Sequence, residues 1–140
     1  MKRWTGDRGA SGAIEMVLAI GLLMFPLVML VASIPRWVET LSMAELAAQE
    51  AARSVVLSGD QATGEDAGRL RATEIALNHG FDASAIEVTF AGVLDWGQEI
   101  TATVVVDTPL LVIPGIGEFA ANDVVVSHSE RVDDFRSFPP

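Results

Sequence analysis

The sequence predicts an α+β fold: a long N-terminal transmembrane helix that continues outside the membrane, a short helix, then a small antiparallel sheet of about three strands. Three observations carry this expectation. Met16 to Ile34 is a run of nineteen residues without a charge. An apolar stripe at helical spacing continues beyond it as far as Val55. From Ile86 onward the apolar positions recur with a period of two.

The uncharged run would span roughly 28 Å as a helix at about 1.5 Å per residue, close to the ~30 Å of a bilayer's hydrocarbon core. One carboxylate, Glu15, stands at its N-terminal edge. An acid at the border of a span costs energy and marks a functional site by default. Lys2, Arg3 and Arg8 precede the run and only Arg36 closely follows it. The bias of basic residues towards the cytoplasmic side puts the N-terminus inside and everything after Arg36 outside. Trp37 suits the far interface, where indole rings settle. Pro26 removes a helix hydrogen bond within the span and predicts a kink there.

Beyond the span, Trp37, Leu41, Ala44, Ala48, Ala51 and Val55 form one helical stripe, with Glu39, Glu45, Glu50 and Arg53 off it. Such an Ala-rich stripe admits a close neighbour, either the chain's own domain or another subunit. Ser58 to Gln61 ends this helix. Thr63 to Gly68 reads as a polar loop with a weak capping box at Thr63-x-x-Asp66. A short helix then runs from about Asp66 to His79 and stops at Gly80. Ile86, Val88 and Phe90 define the first strand, Ile100 to Val106 the second and Val124 to Glu130 the third. A turn around Asp95-Trp96-Gly97 joins the first two. Pro109 to Gly117 reads as an apolar loop kept out of the sheet by Pro and Gly. The tail from Asp133 to Pro140 reads as frayed.

The 140 residues leave room for the span and one small domain. There is no cysteine, which removes disulfides and thiol chemistry. The formal charge is −10, with Lys2, Arg3, Arg8 and Asp7 in the first ten residues. Without those ten, six Lys and Arg face eighteen Asp and Glu, a balance of −12. Nucleic-acid binding, which needs a basic surface, is disfavoured.

No constellation of catalytic or cofactor-binding residues stands out, so neither enzyme activity nor a cofactor is expected. His79 at a helix end reads as a partner of the helix dipole. His128 lies between Ser127 and Ser129 on a strand, so those hydroxyls point to the other face, against a nucleophilic triad. Gly115-Ile116-Gly117 lacks the third glycine and following helix of a nucleotide loop. Asp60, Glu65 and Asp66 lack the spacing of a calcium loop and read as solvated.

The N-terminus resembles a class III prepilin signal: basic residues, a small residue at the cut, a short spacer, Glu, then an apolar helix. Here this is Arg8-Gly9-Ala10-Ser11-Gly12-Ala13-Ile14-Glu15-Met16. More specifically, residues 8 to 56 resemble the TadE-like minor pilins of the tight-adherence (Flp, type IVc) pilus system. That family opens with Arg-Gly-Ala, places Glu before an apolar run containing Pro, and continues into an Ala-rich helix with an Ala-Ala-Arg ending. Gln49-Glu50-Ala51-Ala52-Arg53 matches that ending. The short helix and the strands after it are alike in layout only. A TadF-like subunit has a similar size; the abundant Flp pilin would lack the strands, and a TadG-like protein would be much longer.

The resemblance implies three parts: a cytoplasmic leader (1–10), a transmembrane and extended helix (11–57) and a small exported domain (58–140). It implies leader processing at Arg8, Gly9, Ala10 and Ser11, and an assembly role for Glu15. The family has Gly before the cut and Glu as the fifth mature residue. A cut after Gly9 makes Glu15 sixth, one after Ala10 makes it fifth with Ala in place of Gly, and one after Gly12 makes it third. The Ala10–Ser11 bond is preferred because the Glu register sets docking; Gly9–Ala10 is second. The implied partners are prepilin peptidase, other pilin and minor pilin subunits, the assembly platform and membrane lipid. The main rival is a single-span anchor carrying an exported binding module unrelated to pili, which leaves Glu15 and the Arg-Gly-Ala segment unexplained. A cleaved secretory signal is disfavoured, because no Ala-x-Ala site follows the apolar run.

Overall fold

The computed structural model describes residues 7–113 and 117–134, with side chains at 12–108 and 123–134. The elements are α1 (Asp7–Leu57), α2 (Gln61–Asn78), a short 3₁₀ turn (Ala83–Ala85), β1 (Ile86–Ala91), β2 (Glu99–Ile113) and β3 (Gly117–Arg131). The strands form one antiparallel sheet in the order β1-β2-β3. The fold is thus α+β as the sequence predicts, with α1 laid on one face of a three-stranded meander.

α1 continues as one helix of 51 residues through both Pro26 and Pro35. Its C-terminal half is the centre of the core. Met43, Ala44, Ala47, Ala48, Ala51 and Ala52 are buried against Ala102, Val104 and Val106 of β2, Val124 of β3, and Ala72, Ile75 and Ala76 of α2. Val55 and Val56 make a second cluster with Ile100 and Val132. The Ala stripe is therefore covered by the chain's own domain. It is two residues wide and begins at Thr40, whereas Trp37, placed on the stripe by its spacing, is exposed. Thr40 is fully buried, and its hydroxyl donates to the Arg36 carbonyl at 2.9 Å.

α2 starts five residues earlier than its sequence suggests, and Thr63 to Gly68 is helix, not loop. The cap is Asp60: its carboxylate accepts the Thr63 N–H at 2.9 Å and the Thr63 hydroxyl at 2.7 Å. Gly64 and Gly68 read as helix breakers because glycine costs about 1 kcal/mol relative to Ala in a helix. Both are buried where α2 meets α1. A Cβ on Gly64 would collide with the Ser58 side chain and lie 2.9 Å from Val55 Cα. Bare backbone there lets the two helices approach closely. α2 ends as expected, with Gly80 at φ +79° and the His79 ring nitrogen 2.9 Å from the Ile75 carbonyl.

The alternation read from the strands holds. Ile100, Ala102, Val104 and Val106 face the helices, while Thr101, Thr103, Ser127 and Ser129 lie on the opposite face. Cross-strand hydroxyl pairs Thr101–Ser129 (2.8 Å) and Thr103–Ser127 (2.9 Å) line that outer face. The stretch expected to be an apolar loop, Pro109 to Gly117, is strand on both sides: β2 runs on to Ile113 and β3 starts at Gly117, with Ile113 opposite Gly117. β1 ends its pairing at Ile86↔Val106. Past Val106 the second strand has one neighbour only, and a residue without an N–H such as Pro109 is tolerated on a strand with a free edge. Residues 135–140 of the tail lie outside the described residues.

Candidate functional site

Sequence and structure meet at the N-terminal half of α1. Every residue with a described side chain from 12 to 39 is exposed, except Met29 and Ser33, which are half-buried. Phe25 is 53% exposed and Leu22 80%. No described residue of this apolar segment is fully buried, and α1 is the helix among the described residues that is long and apolar enough to cross a membrane. The hydrophobic effect does not leave a surface of this extent in water, so it needs lipid or other apolar helices around it.

Glu15 lies within this bare half. It is exposed and makes no hydrogen bond or ion pair among the described residues. Ala13, Ile14, Val17 and Leu18 line a shallow apolar groove beside it. One turn of helix separates Ile14 from Val17 and Leu18, so these side chains share one face, and Glu15 lies on the flank of that face. Glu15 is the one charged residue from 12 to 35, so it stands at the edge of the uncharged run as an exposed carboxylate. Gly9, Ala10 and Ser11 stand on the helical backbone of α1, and so does Arg8. The side chains of these four lie outside the described residues.

Elsewhere the sequence-selected groups are dispersed. Asp60 caps α2, and its pKa is lowered below 3.8, first by the Thr63 hydroxyl and then by the Thr63 N–H. Glu65 and Asp66 both engage Arg69 at 3.2 Å. The Arg69 guanidinium in turn lies 5.3 Å from the centre of the Phe90 ring. His79 is on α2's end and His128 on β3, the latter 3.4 Å from Glu130. No group of three or more His, Asp or Glu among the described residues is placed to hold a metal.

Nothing in its sequence context marks Gln61, yet its amide ties α2 to the β1–β2 connection. Its Nε2 donates to the Gly92 carbonyl at 3.3 Å, and its Oε1 accepts the Leu94 N–H at 3.2 Å. This clamp ties the start of α2 to the connection between β1 and β2. No protein-family model matches the chain, and no curated protein or solved structure is significantly similar to it.

Proposed function

We propose that this chain is a minor pilin or pseudopilin that takes part in assembling a Tad/Flp-type pilus for surface adherence. One observation carries the reading: a single helix whose first half is bare and apolar, with Glu15 at the edge of its uncharged run, and whose second half is sheathed by its own acidic domain. The uncut subunit waits in the cytoplasmic membrane with its basic end inside. Prepilin peptidase removes the leader and frees an amine at Ser11, or at Ala10. Glu15 of one subunit then pairs with the amine of a neighbour. A charge pair in a dry interface is favourable only when both partners are present, so the pairing selects one docking register. The sealed Ala stripe supports this division of labour, because it leaves the bare half of α1 as the surface for subunit contact.

The test is a strain carrying Glu15→Gln. Its membranes should contain the processed subunit in normal amount, with few pili and poor attachment. Normal pili and attachment would remove the assembly role of Glu15 and favour a single-span anchor with an exported binding module.

A further inference from the structure

We infer that the partner taken by Glu15 is a short single-span helix with a free N-terminal amine and no domain on its outer end, not a second copy of this chain; the inference rests on the proposed pairing of Glu15 with an amine. α1 is one helix from Asp7 to Leu57, so the azimuth of its lower residues is tied to that of its upper ones. Glu15, Leu22, Met29 and Arg36 follow one another in steps of seven residues, and Thr40 comes four after Arg36. Seven residues fall short of two full turns by about 20°, and four overshoot one turn by ~40°. Three steps of seven and one of four therefore leave Glu15 about 20° from Thr40 round the helix. Ala44, Ala47 and Ala51 lie within about 40° of Thr40 on the same count. Burial marks this phase independently: Met29 and Ser33, half-buried in an otherwise exposed stretch, fall on the same face. Glu15 thus stands directly below the side of α1 that carries the domain.

That side is filled. Thr40, Ala44, Ala47 and Ala51 are fully buried, with α2 and β2 packed over the alanines. α2 lies so close that a Cβ on Gly68 would stand 2.9 Å from the Ala51 carbonyl oxygen. Packed helices keep their axes about 8–10 Å apart. A second copy at that distance on the Glu15 side, in the same membrane and at the same height, would send its own α1 up through α2. A helix that ends at the outer membrane surface meets no such obstacle.

The opposite side of α1 is open above the membrane as well as within it. Ser42, Leu46, Gln49 and Arg53 are exposed, and Met24 lies below them, about 200° round from Leu22. Copies of this chain have room to meet there, away from Glu15. Charge narrows the partner further. Glu15 has no ion pair among the described residues, and a helix that is apolar through the bilayer can offer a cation only at its end, as the terminal amine.

The chain has no cysteine, which allows disulfide mapping with single thiols. Full-length Leu22→Cys and Met24→Cys proteins are reconstituted in phosphatidylcholine vesicles and oxidised mildly. Each is tested alone and with an equimolar synthetic peptide of residues 11–36 that carries the same substitution and a free or an acetylated amine. Leu18→Cys is a second site on the Glu15 side should Leu22→Cys disturb insertion. At 22, the disulfide with the free-amine peptide should exceed several-fold both the protein–protein disulfide and that with the acetylated peptide. At 24, protein and peptide should react alike, whatever the state of the amine. A protein–protein yield at 22 equal to that with the free-amine peptide overturns the partner assignment, and leaves the amine pairing intact where acetylation still lowers the peptide yield. Equal yields at 22 from free and acetylated peptides remove the pairing, and the inference with it. No disulfide at 22 with 24 reacting normally means that lipid occupies the face, which overturns the inference too.

Discussion

A Cβ added to Gly68 would stand 2.9 Å from the Ala51 carbonyl oxygen. The same Cβ would lie 2.8 Å from the Phe90 ring. Helix propensity alone favours Ala over Gly by about 1 kcal/mol, but the Ala51 contact is backbone and cannot swing away. Gly68→Ala should therefore destabilise the domain, by about 1–3 kcal/mol as is typical of overpacked sites. Thermal unfolding of the full chain in detergent reads the sign directly. A rise in Tm would mean that the helices are not held at this separation.

Ile100 is 1% exposed and bridges the sheet to Val55 and Val56. Ile100→Ala should cost about 2–5 kcal/mol, the range for emptying a well-packed apolar site. Leu70, on the outer side of α2, is 73% exposed, and Leu70→Ala should shift the unfolding midpoint little. Comparable losses at the two positions would contradict the placement of the core.

Asp60 supplies an acid-sensitive cap. Its folded pKa lies below 3.8 because the Thr63 hydroxyl and N–H favour the carboxylate. In the unfolded chain Asp60 takes up its proton at higher pH than in the folded one. The stabilisation is therefore complete above the ordinary carboxylate range and is lost as pH falls through the folded value. Asp60→Asn retains a capping oxygen without the titration. Below about pH 4, it should lose less stability than the parent on further acidification. Equal losses in the two proteins would exclude this role.

Legibility in the sequence followed the physics of each element. The strands announced themselves, because one face is buried and the other wet: Val104 and Val106 alternate with Thr103 and Val105. Gly80 announced the end of α2, since its φ of +79° is natural for glycine. The start of α2 was hidden. Gly64 and Gly68 score as breakers by propensity, and their reason for being there is a neighbour distant in sequence. Pro109 likewise reads as a stop until the sheet shows that β1 no longer flanks it. Of the candidate site, Glu15 and its apolar setting could be read directly. What covers the Ala stripe could not, because packing on another subunit requires the same residues as packing on the chain's own domain.

Topology gives a further expectation. With Lys2, Arg3 and Arg8 inside, protease added to spheroplasts should digest the chain after Arg36 and spare the span. Arg36 is the residue that opposes this orientation. Protection of the domain would show the reverse arrangement.

Glu15→Gln should insert and fold normally, since removing a charge eases insertion and the domain's core begins at Thr40. On the proposed pairing, the loss should appear between subunits, where a buried amine left unpaired would cost about 3–5 kcal/mol. Cross-linking of membrane-resident subunits should fall relative to the parent while the amount of subunit stays constant. Unchanged cross-linking would contradict the pairing.

The proposed processing and assembly turn on the N-terminus of the mature chain. Edman or mass-spectrometric sequencing of the mature chain, from cells with active prepilin peptidase, should begin at Ser11, or at Ala10 if the Gly9–Ala10 bond is cut. An intact Met1 in those cells would contradict the claim, and a start near Ser33 would identify a cleaved secretory signal instead.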